Sequence, residues 1–121
     1  MWTYRQSSGE LAHDGEIVGY GWSGWDDGIN IPAMQNIPKV GPIPRGKWRI
    51  VGPPEDSPTH GPYTLRLIAE PETPTFGRSG FLMHGRSAVK PFETSRGCLV
   101  LERPLRERMW KSGDRTLEVV G

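Results

Sequence analysis

Glycine and proline break this chain at short intervals, 16 and 12 of them in 121 residues, and that punctuation limits the fold more than any other feature. A helical bundle or coiled coil needs long stretches free of both. Glycine weakens a helix, and proline removes a hydrogen bond from its interior. Short strands joined by many turns suit such a chain better.

Alternation of apolar and polar residues fills the gaps between the breakers. It runs through residues 2–6, 10–13 and 16–20, with Ser7-Ser8-Gly9 and Asp14-Gly15 as turns, so the chain is predicted to open with a three-stranded meander. Residues 46–51 predict a strand with Trp48 and Ile50 on one face and Lys47 and Arg49 on the other. Residues 63–69 alternate through Leu65 and Leu67 and predict another. Leu82-Met83 reads as the end of a buried strand, Leu99 to Leu101 as the start of one, and residues 116–120 as the last. Residues 102–112 predict the one helix, with Pro104 in its first turn, Leu105 and Met109 at helical spacing and Gly113 at its carboxyl-terminal cap. Its arginines and Lys111 are expected to form a solvated basic face. Residues 21–45, 53–62 and 71–80 read as loops. The expected fold is mainly β: one domain over residues 1–121, a sandwich or barrel with one short helix near the end.

The net charge of +1 implies no general attraction to nucleic acid. No apolar run reaches membrane-spanning length, and residues 1–5 lack the apolar core of a secretory signal. One cysteine allows no intrachain disulfide, and a monomer is expected.

That cysteine, Cys98, opens one apolar run, and His84 closes another. At strand ends a rigid sheet can hold the two within reach of each other. A thiol with a pKa of about 8.5 is mostly protonated at neutral pH, and an imidazole beside it supplies the base that makes it a nucleophile. Gly97 permits a sharp turn that brings backbone amides toward the attacked carbonyl, Ser95 can fix that turn, and Gly85 allows close approach behind the imidazole. The plainer reading is a small buried cysteine and a structural histidine.

The spacing of His84-Gly85 and Ser95-Arg96-Gly97-Cys98 resembles the active-site motif of the L,D-transpeptidases, the YkuD-like cysteine enzymes of bacterial peptidoglycan. More narrowly, Gly77-Arg78-Ser79-Gly80-Phe81-Leu82-Met83-His84-Gly85, together with residues 30–38 and 41–48, looks like the small L,D-transpeptidase and L,D-carboxypeptidase effectors of type VI secretion. The broader family usually has histidine where Arg96 stands, and often arginine where Val100 stands. The resemblance implies a catalytic domain of the L,D-transpeptidase type. Its Cys98 nucleophile and His84 base would cleave or exchange the terminal D-alanine of a stem peptide. It also implies injection into the periplasm of a target bacterium and a cognate immunity protein in the producer.

Arg78 and Arg96 are the candidates to bind substrate carboxylates, with Arg86 a weaker one, because the planar guanidinium matches a carboxylate. Ser79 could orient His84 or the substrate, and Gly85 lies against the same site. Trp22 and Trp25 could stack on sugar rings or cover the edge of the core. His13 is expected to be solvated, and His60 structural or solvated. A zinc site from these two with His84 and Cys98 lacks any close ligand pair, so no metal is assigned, and thiol chemistry needs no cofactor. A papain-like peptidase also pairs cysteine with histidine, but its histidine follows the cysteine at long range, whereas His84 precedes Cys98. The rival class is a non-catalytic wall-binding module.

Overall fold

The computed structural model describes residues 1–24, 26–58, 60–85 and 98–121. Strands β1 (Trp2–Arg5), β2 (Glu10–His13) and β3 (Glu16–Tyr20) form the predicted meander. Strand β4 (Trp22–Ser23) follows at once, then 3-10 turns at Asp26–Gly28 and Pro32–Met34. Strands β5 (Gly46–Ser57), β6 (Gly61–Ala69), β7 (Leu82–His84) and β8 (Leu99–Val100) lead to helix α1 (Arg103–Lys111) and strand β9 (Thr116–Val120).

Among the described residues, nine strands form one sheet, in the order β3-β2-β1-β9-β5-β6-β7-β8-β4. The pairs β1–β9 and β7–β8 are parallel and the other six antiparallel. Period-two alternation turns Trp2 and Tyr4, Trp48 and Ile50, Leu65 and Leu67, and Leu117 and Val119 into one buried core. Helix α1 adds Met109 and Leu105 to it. The proline expected in the first turn of α1 is there, and Gly113 follows the helix at φ +78°, the left-handed conformation that ends helices.

Only Gly21 separates β3 from β4, the two outermost strands, so it brings the edges of the sheet together into a nearly closed barrel. Its amide donates to the Gly9 carbonyl at 2.8 Å. A Cβ there would stand 2.2 Å from the Val100 carbonyl oxygen, so the closure needs glycine.

Two loop expectations fail, since β4 and the two 3-10 turns lie within residues 21–45. Residues 53–62 do not form a loop either, because β5 continues to Ser57 and β6 begins at Gly61. Register shifts between Val51 and Glu55, and between Glu55 and Ser57, take Pro53 and Pro54 out of the ladder, where a missing N–H does no harm. The result is a long hairpin whose tip carries His60. Among the described residues, no helix is long and apolar enough to cross a membrane.

Candidate active site

Parallel pairing of β7 with β8 sets Met83 opposite Leu99 and His84 opposite Val100. Side chains alternate between faces, so His84 shares its face with Val100 and with Cys98, one diagonal step back along the chain. A ring nitrogen of His84 and the Cys98 sulfur lie within 4.8 Å of each other. The juxtaposition expected from sequence is therefore present.

His84 is wholly buried, with Nδ1 2.8 Å from the Gly85 carbonyl. A carbonyl only accepts, so Nδ1 carries the ring proton, and in the neutral imidazole Nε2 holds the lone pair. Behind Gly85 stands the Arg106 guanidinium, so close that a Cβ on Gly85 would meet Nη2 at 2.8 Å. Gly85 thus faces a scaffold contact. Arg106 departs from the solvated basic face expected of α1: it is buried, donating to Leu101 O at 3.0 Å, Pro62 O at 2.9 Å and Tyr63 O at 2.6 Å. A planar fork of donors satisfies carbonyls where strands begin and end, and so ties α1 to β6 and β8.

The Cys98 backbone is held from the opposite side. Ser23 of β4 is fully buried; its hydroxyl donates to the Cys98 carbonyl at 2.8 Å and accepts the Ile43 N–H at 2.8 Å. Asn30 extends this support, its Oδ1 accepting the Ser23 N–H at 3.0 Å and the Tyr4 hydroxyl at 2.9 Å. Sequence reasoning missed Ser23 and Asn30, because a polar residue in a Gly/Pro-rich stretch looks like any other loop residue.

A cavity of about 200 Å³ opens beside the sulfur, lined by Pro38, Lys39, Arg78, Ser79, Gly80, Phe81 and Cys98. Lys39, unnoticed in the sequence, is exposed on this rim and holds a left-handed backbone at φ +64°. Arg78 and Ser79, candidates for substrate contact, both line this cavity. Arg78, however, is engaged: Nη1 donates to Gln35 O and, at 2.8 Å, to Pro42 O, and Nη2 donates to Gly41 O at 2.9 Å. Its guanidinium also lies 5.1 Å from the Phe81 ring centroid. Arg78 therefore fixes residues 35–42 as one wall of the cavity.

Burial pushes the Cys98 thiol above its ordinary pKa, and the Leu82 amide and Arg78 charge pull it only part of the way back. At neutral pH the resting group is the thiol, which must lose its proton as it attacks. Alkylation of Cys98 by iodoacetamide, followed by mass spectrometry, is accordingly expected to be slower at pH 7.5 than for a free cysteine peptide. It should still be rising beyond about pH 8.5. A plateau below neutral pH would show a preformed thiolate instead.

His60 joins this pair from the β5–β6 hairpin. Its ring centroid is 4.8 Å from that of His84, and its own donor atom lies within 4.8 Å of both the His84 nitrogen and the Cys98 sulfur. Burial lowers its pKa, favouring the neutral ring. His13 lies elsewhere, half-buried rather than solvated: it stacks on Trp2 at 3.8 Å and meets Asp114 at 3.0 Å. Three of the four histidine and cysteine donors weighed for zinc thus come together, which their sequence spacing does not reveal. Trp22 is half-buried opposite Val100, at the edge of the core. Trp25, Arg86, Ser95, Arg96 and Gly97 lie outside the described residues.

A family model described as the Tlde1 domain matches residues 18–120. Among solved structures, the chain is similar to the crystal structure of an L,D-transpeptidase (Yku) from Stackebrandtia nassauensis, with a TM-score of 0.57 and 16% identity. The likeness covers 99% of this chain and 54% of that one, so the chain spans about half the length of that enzyme. At such identity it establishes the fold, and the mainly β, barrel-like expectation holds. Comparison with curated proteins gives no match.

Proposed function

Because the chain belongs to the Tlde1 domain family, the L,D-transpeptidase effectors of type VI secretion, we propose that it transfers acyl groups on peptidoglycan stem peptides through Cys98. The observation that carries this reading is the pairing of Cys98 with a His84 whose Nδ1 is fixed on a carbonyl, beside a cavity open to substrate.

In this reading the His84 Nε2 lone pair takes the thiol proton as the sulfur attacks the carbonyl of an L,D peptide bond. The bond is that between the third residue of the stem and the terminal D-alanine. In the same reading the backbone amides of Gly97 and Cys98 stabilise the oxyanion, and Ser95 assists them. The imidazolium then protonates the departing D-alanine amine, leaving a thioester on Cys98. Water resolves that thioester in an L,D-carboxypeptidase reaction, and the amine of another D-amino acid resolves it in a transpeptidase or exchange reaction.

Lys39 and Arg78 make one side of the cavity cationic, which suits the carboxylate of the terminal D-alanine. Arg96 and Ser79 complete the substrate contacts, with Gly85 positioning the base. The domain acts as a monomer, without cofactor or nucleic acid, in the periplasm of the target cell. The producing cell would hold an immunity protein that plugs the cavity.

Purified muropeptides incubated with the protein, with and without an added D-amino acid, test this by mass spectrometry. Loss of one D-alanine identifies the carboxypeptidase, and a mass shift matching the added amino acid identifies the exchange. Unchanged muropeptides under both conditions would overturn the reading.

A further inference from the structure

The donors that meet at the sulfur make up a second kind of site. We infer that His60, His84 and Cys98 form a three-ligand site for a thiophilic divalent cation of the zinc class, and that the bound ion switches the nucleophile off.

Two imidazoles and a thiolate are the ligand set of borderline-soft ions, and a calcium or magnesium ion would need oxygens instead. The three donor atoms already lie within 4.8 Å of one another. A tetrahedral ion with metal–ligand distances near 2.0–2.3 Å needs its ligands about 3.3–3.6 Å apart, so the side chains close by at most about 1.5 Å.

Each imidazole also has a polar partner at Nδ1, the kind of contact that orients metal-binding histidines. His84 Nδ1 faces the Gly85 carbonyl at 2.8 Å, and His60 Nδ1 lies 3.4 Å from the Ser57 hydroxyl. Ser57 fixes the His60 backbone as well, accepting its N–H at 3.1 Å. With Nδ1 protonated toward these partners, Nε2 is the nitrogen of each ring that would carry a metal. The ligands come from two strand ends and one hairpin tip, and a tetrahedral ion with three protein ligands takes water as its fourth.

Coordination forms a sulfur–metal bond and releases the thiol proton to solvent. It occupies the sulfur lone pair that would attack a carbonyl and the His84 lone pair that would take a proton. The ion is thus a reversible block on the active centre, and His60 is the ligand whose only part in it is to hold the metal.

Cobalt(II) titration of the purified protein, with no peptidoglycan present, tests the site apart from the reaction. One equivalent is expected to give a thiolate-to-cobalt charge-transfer band in the near ultraviolet, together with visible bands of tetrahedral intensity. Zinc should displace them. Cys98→Ala should remove the charge-transfer band, and His60→Ala should weaken zinc at least tenfold by competition with a chromophoric chelator. His60→Gln serves the same purpose if His60→Ala unfolds. Absence of the band in the parent protein, or zinc affinity unchanged in a folded His60 variant, would overturn the inference. A protein with the band but no action on muropeptides would keep the metal site and lose the acyl-transfer reading. In an active protein, equimolar zinc should stop D-alanine release and a chelator should restore it.

Discussion

Cys98→Ala is expected to lower D-alanine release or exchange by at least about 10⁴-fold, because it removes the atom that carries the acyl group. His84→Ala should cost about 10²–10⁴-fold, the range for loss of a positioned general base. The double variant should be no worse than Cys98→Ala alone, since a base without its nucleophile has nothing to activate. Liquid chromatography with mass spectrometry on isolated muropeptides reads all three. The fold should survive the cysteine change, because only one small side chain leaves a core built on Trp2, Trp48 and their neighbours. Pull-down on isolated sacculi should therefore still capture the variant. If Cys98→Ala and the parent protein process muropeptides equally, a wall-binding module becomes the better account, and the tryptophans and arginines become the residues to test.

What the sequence disclosed and what it concealed follow from the range of the interactions. The meander was legible because Asp14-Gly15 is a local turn signal and its flanking strands alternate. Helix α1 was legible because Pro104, Leu105, Met109 and Gly113 mark its start, face and end within one short stretch. Cys98 and His84 could be paired because each borders an apolar run, and those runs became neighbouring strands. The β5–β6 hairpin was hidden by Pro53 and Pro54, which read as breakers until bulges remove them from the ladder. His60 was hidden with it, since its place at the site depends on where a hairpin tip lands. Arg106 was hidden because a charged helix residue looks solvated until the carbonyls of Leu101, Pro62 and Tyr63 surround it. Ser23 is 75 residues from the carbonyl it holds, and no local pattern encodes that contact.

The second large effect is expected at Arg78, and it separates two cations that look equivalent in the cavity wall. Arg78→Ala leaves the carbonyls of Gln35, Gly41 and Pro42 without the donor that gathers them. The guanidinium is half-buried, so part of this loss is made good by water, and the net cost is about 2–3 kcal/mol. For a chain of this size that is a fall in Tm of roughly 6–15 °C, readable by calorimetry. Activity should fall at least about tenfold as well, because the freed segment carries Pro38 and Lys39. Arg78→Lys keeps the positive charge near Cys98 but offers a point donor in place of a fork, so it should recover less than half of the lost stability. Lys39→Ala should behave oppositely. Its exposed side chain holds no part of the fold together, so Tm should move by no more than a few degrees. Loss of a contact to the substrate carboxylate should raise KM about five- to tenfold with kcat nearly unchanged, the signature of an interaction made equally in ground and transition states. If Lys39→Ala instead lowers kcat and leaves KM alone, the cation acts on the reacting centre and the carboxylate is bound elsewhere. If Arg78→Ala keeps its Tm, the three carbonyls find other donors and Arg78 is free to serve the substrate directly.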